Sequence, residues 1–199
     1  MTNTFSAFCD AAASVMLAAC AVYRARQYGH ALDGALLLGC LAGVASPVAR
    51  DALLELPLRE TLDGAALPAS LCGALCGLAA FRWNIRSWPL FRWTDAWSMA
   101  LAAALGCGEA MLCGYGPAAC LLVGMAAGTV GGLARDLALG DTALAVQQQC
   151  HAAAVLPGLA VQWGLWQWGQ LPLWAAVLIS CVLIAGLRLG YAFWKDGYW

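Results

Sequence analysis

Charge is what this sequence has least of. Only 11% of its 199 residues are Asp, Glu, Lys or Arg, 63% are hydrophobic, and mean hydropathy is +0.74. A soluble domain carries about 25% charged residues, so a water-facing surface cannot be built from this supply. Most apolar segments also lack the polar stripe of a surface helix. The net charge of −1 gives no electrostatic basis for binding nucleic acid. Catalytic signatures are missing too: there is no Walker loop, no His-Glu-x-x-His and no Gly-x-Ser-x-Gly. An enzyme is therefore not expected. No Cys-x-x-Cys pair exists, and His30 and His151 stand apart from any metal-type cluster, so neither metal nor cofactor is expected. The ten cysteines lie mostly in apolar runs, with Cys72 and Cys76 one turn apart, and read as small packing residues. No Lys or Arg precedes Arg24. The N-terminus thus lacks the positive region of a signal peptide and is expected to form the first membrane helix.

What the chain does have is long apolar blocks. At ~1.5 Å rise per residue, about 20 residues cross a hydrocarbon core ~30 Å thick. Seven such segments can be drawn: Phe5–Tyr23, Asp33–Leu54, Gly64–Trp83, Thr94–Cys113, Pro117–Leu139, Val146–Trp168 and Leu171–Trp194. Connections such as Arg24–Leu32 and Cys113–Pro117 are short, and no soluble domain is left over. The expected fold class is an all-α membrane protein, a single integral membrane domain of seven transmembrane helices. Positive charge orients it. With the N-terminus outside and the C-terminus cytoplasmic, Arg24, Arg26, Arg82, Arg86, Arg92, Arg135, Arg188 and Lys195 lie inside, and only Arg50 and Arg59 lie outside. Trp83, Trp88, Trp93, Trp174, Trp194 and Trp199 fall near helix ends, where amphipathic rings suit the headgroup region.

The chain also matches itself, without a gap, at a displacement of 85 residues. Asp10-Ala11 falls on Asp95-Ala96, Gly29 on Gly114, Gly39 on Gly124, Ala42-Gly43 on Ala127-Gly128, and Ala49-Arg50-Asp51 on Ala134-Arg135-Asp136. Alanine matches are cheap in an alanine-rich chain, but Asp, Arg and Gly in register are not. Each unit holds three helices, an odd number, so the second enters the membrane upside down. The result is two inverted three-helix repeats, residues 5–83 and 94–168, plus a seventh helix over 171–194. Transport proteins use such inverted repeats, with the pathway at the repeat interface.

The second helix of each unit is rich in residues that weaken helices. Gly43, Ser46 and Pro47 stand in one, and Gly128, Thr129, Gly131 and Gly132 in the other. Broken backbone is expected near Ala45–Pro47 and Gly128–Gly132, and in lipid it is tolerated only against protein or a water-filled cavity. Close packing through small residues is the competing reading, since Gly39/Gly43 and Gly124/Gly128 have small-xxx-small spacing. The pairs Arg50-Asp51 and Arg135-Asp136 follow directly. Asp10 opens helix one and Asp95 opens helix four, so Asp10 is expected to meet Arg50 and Asp95 to meet Arg135. These pairs either pin helix ends or contact the solute. From the sequence alone, the loss of Arg135 is expected to be partly offset by Asp95→Asn.

At these residues the chain resembles the trimeric intracellular cation (TRIC) channels and bacterial relatives with a duplicated glycine-transporter-type membrane domain. The motif is clearest in Gly131-Gly132-Leu133-Ala134-Arg135-Asp136, with Asp10 and Asp95 opening the two units; Arg188 falls where bacterial relatives often carry an arginine. The resemblance implies a homotrimer in the membrane lipid of the bacterial inner membrane. It also implies a pore in each protomer, lined by the second and fifth helices and passing monovalent cations, potassium or sodium. One departure stands out: Ala45-Ser46-Pro47 replaces the expected glycines. The broken helices and inverted repeat would serve a glycine-type small-solute transporter equally well, and a structural protein with a blocked pore is a third reading. No Thr-Val-Gly-Tyr-Gly filter is present, so selectivity would come from pore shape, carbonyls and hydroxyls.

Overall fold

The computed structural model describes residues 2–57, 64–83, 88–140 and 150–195. Arg59, Arg86, Trp199 and the 146–149 start of the sixth segment lie outside them, as do the side chains of Trp88, His151 and Lys195. Seven helices run through the described residues: α1 Thr2–Gln27, α2 Leu32–Leu53, α3 Ala66–Arg82, α4 Trp88–Leu112, α5 Pro117–Ala138, α6 Cys150–Gln167 and α7 Leu173–Lys195. Four of them (α1, α2, α5 and α7) are long and apolar enough to cross a membrane, and α3 is a shorter apolar helix. α4 carries Arg92, Asp95 and Glu109 along its length. The surface is inside-out relative to a soluble protein. Leu37, Leu41, Leu71, Leu75 and Val182 are more than half exposed, whereas Arg135, Asp136 and Gln162 rank among the largest fully buried side chains. In hydrocarbon such a surface is stable, because lipid tails are as apolar as leucine.

The two repeats share local detail. Gly29 and Gly114, one displacement apart, both take positive φ, 82° and 80°. Each ends its helix with the same pair of bonds: Gly29 N–H to Arg26 O and His30 N–H to Ala25 O, Gly114 N–H to Met111 O and Tyr115 N–H to Ala110 O. Glycine is needed there because a side chain would strain the left-handed backbone.

The repeats differ where the third helix packs on the first. In repeat one, Gly77 on α3 lies against the backbone of Ala19 on α1, with no room for a Cβ. The equivalent positions are Gln162 and Ala104, and there the Gln162 amide donates to Ala104 O at 2.8 Å. A long side chain replaces direct backbone contact, so α6 stands off from α4. Helix α7 packs on both α4 and α6. Gly158 of α6 admits Ile184, and the Ser180 hydroxyl donates to Gly158 O at 2.9 Å.

Neither α2 nor α5 is interrupted at the places where broken backbone is expected. α2 is helical throughout Leu32–Leu53 with Pro47 inside it, and α5 is helical throughout Pro117–Ala138. Packing decided the matter over propensity. A Cβ on Gly43 would come within 2.9 Å of Ser14 O, on Gly124 within 2.8 Å of Ala103 O, and on Gly128 within 2.8 Å of Ala103 Cβ. These glycines let helices approach closely, and the neighbours hold the helices in place.

Candidate functional site

The repeats meet where α2 crosses α5, and the residues that touch there are equivalent by the displacement of 85. A Cβ on Gly131 would lie 2.7 Å from Ser46 Oγ and 3.0 Å from Ala42 O. The pseudo-two-fold axis therefore passes between Ser46 and Gly131. Two small cavities with charged and hydroxyl-bearing side chains in their walls flank the crossing. One, about 10 Å³, lies toward Asp10 and is lined by Asp10, Ser14, Gly43, Ser46, Pro47 and Arg50 among others. The other, about 20 Å³, lies toward Asp95 and is lined by Asp95, Gly128, Thr129, Gly132, Arg135 and Arg188 among others. Leu17, Ser46 and Ser98 line both, so these three side chains stand between the cavities. Beyond the first cavity is a wider vestibule of about 350 Å³, bordered by Asp10, Pro47, Arg50, Asp51 and Glu109.

Each end of this line of cavities closes in a charged cluster. At the Asp10 end, Arg50 Nη1 donates to both Asp10 carboxylate oxygens at 2.8 Å, and its Nε donates to Asp51 Oδ1 at 2.8 Å. Glu109 Oε2 lies 3.7 Å from the same Nε. At the Asp95 end, Arg135 Nε donates to Asp136 Oδ1 at 2.8 Å and its Nη1 donates to Asp95 Oδ1. Arg24 Nη1 reaches Asp136 Oδ1 at 3.4 Å. Arg188, from the helix outside the repeats, donates to the other Asp95 oxygen, to Asp95 O at 3.1 Å and to Met99 Sδ at 3.1 Å. The Phe91 ring lies under both Arg24 and Arg135, 5.9 and 5.8 Å from their guanidinium carbons. Charges taken out of water persist only when paired and hydrogen-bonded, and these are.

Among the described residues the clusters occupy equivalent positions but draw on different sets of charged side chains. At the Asp10 end Arg50 meets three carboxylates (Asp10, Asp51 and Glu109). Three arginines (Arg24, Arg135 and Arg188) meet two aspartates at the Asp95 end. Part of the difference is one exchange: Arg24 and Glu109 are the same repeat position.

Of the residues singled out from the sequence, Gly43, Ser46 and Pro47 line the cavity toward Asp10, and Gly128, Thr129 and Gly132 the cavity toward Asp95. Gly131 sits at the crossing as a packing contact. Asp10 and Arg50 come together, as do Asp95, Arg135 and Asp136. Sequence reasoning missed Glu109 and counted Arg24 only as a topological charge; their opposite signs in one register were the available signal. Ser14, Leu17 and Ser98 carried no signal, because a single serine or leucine on an apolar helix is unremarked. Among the described residues no group of His, Cys, Asp and Glu is arranged to hold a metal ion.

Long apolar helices with charged clusters buried between them define a multi-pass membrane protein. Residues 92–167, which span most of the second repeat, match the family model described as glycine transporter. The whole chain has the TRIC fold. It superposes on the TRIC trimeric intracellular cation channel orthologue from Rhodobacter sphaeroides with a TM-score of 0.84 at 24% identity, over 96% of this chain and 98% of that one. A prokaryotic TRIC channel crystallised in 0.5 M KCl gives 0.81 at 20% identity, over 97% and 99%. A TRIC structure described for its cation conductance gives 0.78 at 19% identity, over 96% and 93%. No curated protein matches the chain.

Proposed function

We propose that this chain is a monovalent-cation channel of the potassium type, with a pathway through each protomer between the two repeats. One observation carries the reading: two small cavities at the α2–α5 crossing, one reaching Asp10 and Arg50 and the other Asp95 and Arg135, share Leu17, Ser46 and Ser98. A cavity of about 10–15 Å³ in this measure admits one water molecule, so each holds a single water-sized particle. The vestibule at the Asp10 end supports the reading, since Asp10, Asp51 and Glu109 all border it and carboxylates raise the local concentration of cations. Conduction requires Leu17 and Ser46 to part. The pathway rests on these cavities, not on interrupted helices. By analogy with the trimeric channels named above, the chain works as a homotrimer in membrane lipid, with potassium or sodium as permeant ions and no cofactor. Its place is the bacterial inner membrane with the N-terminus outside, which turns the carboxylate-rich vestibule outward.

The family description favours a second reading, a glycine-type transporter. Against it, neither cavity could hold an amino acid in this arrangement. Purified protein in liposomes decides between them when potassium flux and labelled glycine uptake are measured side by side. Flux without uptake is the expected result; uptake without flux overturns the channel.

A further inference from the structure

Serine and threonine hydroxyls buried in helices ordinarily bond back to a carbonyl three or four residues earlier. Several here do: Ser70 donates to Ala66 O at 2.7 Å, Ser98 to Asp95 O at 3.0 Å and Thr129 to Met125 O at 2.8 Å. Ser14 and Ser46 do not. Their hydroxyl oxygens are buried without a hydrogen-bond partner, although the residues are only 2% and 4% exposed. Leaving a buried polar atom unmatched is costly, and both line the cavity toward Asp10. The same cavity is lined by Gly43 and Pro47. Proline has no N–H, so the Gly43 carbonyl, four residues earlier in the helix, lacks its ordinary donor. Two hydroxyls without a partner thus share one cavity of water-molecule size with Gly43, whose carbonyl lacks the Pro47 donor, next to the Asp10 carboxylate.

The second repeat has none of this. The equivalents of Ser14, Ser46 and Pro47 are Met99, Gly131 and Gly132. Gly132 has the N–H that proline lacks, and the Thr129 hydroxyl is already bonded. The feature therefore belongs to this chain's own Ser46-Pro47 departure and not to the duplicated plan.

We propose that Ser14 Oγ, Ser46 Oγ and the Gly43 carbonyl form a binding site for one partly dehydrated potassium ion in the half of the pathway nearer Asp10. This deepens the channel reading and, as a step in permeation, rests on it. Hydroxyl and carbonyl oxygens replace hydration oxygens around a monovalent cation, and a bare potassium ion is about the size of a water molecule. Asp10 supplies negative charge nearby while Arg50 holds it in place. The site makes the two halves of the pathway unequal, with one ion-coordinating half and one closed by arginines.

The test is thermal unfolding of the purified full chain in detergent. Potassium chloride replaces N-methylglucamine chloride at constant ionic strength. For the wild type the midpoint rises saturably with potassium. Ser14→Ala/Ser46→Ala removes two unmatched hydroxyls, so without potassium its midpoint equals or exceeds that of the wild type. Its half-saturating potassium concentration rises about tenfold or more, as the loss of hydrogen-bond-strength ligands to a charge implies. Pro47→Ala, which returns a donor to the Gly43 carbonyl, shifts it in the same direction and serves if the double variant folds poorly. A wild type indifferent to potassium, or variants that respond as the wild type does, would mean that water fills the cavity and would overturn the site. Liposome flux separates the two claims. Potassium-specific stabilisation without flux overturns the channel and keeps the site; flux without stabilisation does the reverse.

Discussion

Arg135 shows how far one residue's role depends on neighbours that arrive from elsewhere in the chain. It is 1% exposed and bonds both Asp95 and Asp136. Removing one member of a buried pair costs about 3–5 kcal/mol. Here Asp95 keeps Arg188 and Asp136 keeps Arg24, so Arg135→Ala is expected to cost about 3 kcal/mol, the lower end of that range. The sequence alone, with Arg135 as the cation facing Asp95, predicts rescue by Asp95→Asn. The structure reverses that sign: the added change would strip Arg188 of its carboxylate, so the double variant is expected to be less stable than Arg135→Ala. Unfolding midpoints of the two proteins in detergent check this, and a higher midpoint for the double variant would show that Arg188 does not hold Asp95.

At the scale of the helix, the glycines of α5 separate into two kinds that the sequence does not distinguish. Gly131 faces α2, and a Cβ there would meet Ser46 Oγ at 2.7 Å and Ala42 O at 3.0 Å. Gly132 faces open space, with Arg135 Nη2 at 4.0 Å as the nearest atom. Overpacking a tight contact costs about 1–3 kcal/mol, whereas alanine in an unobstructed helix position gains up to about 1 kcal/mol over glycine. Gly131→Ala should therefore lower the unfolding midpoint, and Gly132→Ala should leave it unchanged or raise it. Equal losses in both would mean that glycine serves backbone flexibility at each position, as a broken helix would require. The same contrast explains why α2 and α5 are not interrupted there. Local glycine and proline content measures a weak intrinsic preference, and contacts with α1, α2 and α4 outweigh it.

Over the whole molecule, the inverted duplication places equivalent clusters at opposite ends, and α7 breaks the symmetry by sending Arg188 into one of them. The distribution of positive charge predicts the orientation. A reporter fused after Trp199 should show cytoplasmic activity, because eight of the ten Lys and Arg residues then lie inside. Alkaline phosphatase activity there would reverse the assignment and turn the carboxylate-rich vestibule toward the cytoplasm.

The membrane class, the seven segments and the 85-residue duplication were all legible in the chain, because they depend on composition, run length and register, which are linear properties. The meeting of Asp10 with Arg50 and of Asp95 with Arg135 was legible for the same reason: inverted copies place these residues at matching helix ends. What only the tertiary structure decided involves distances between segments far apart in sequence. It kept α2 and α5 helical through Pro47 and Gly131-Gly132. It brought Arg24 to Asp136 across 112 positions and Arg188 to Asp95 across 93. It also left the hydroxyls of Ser14 and Ser46 without a partner. Whether a serine on an apolar helix bonds to its own backbone or faces a cavity depends on what the neighbouring helix presents. That neighbour is set by packing and not by sequence proximity.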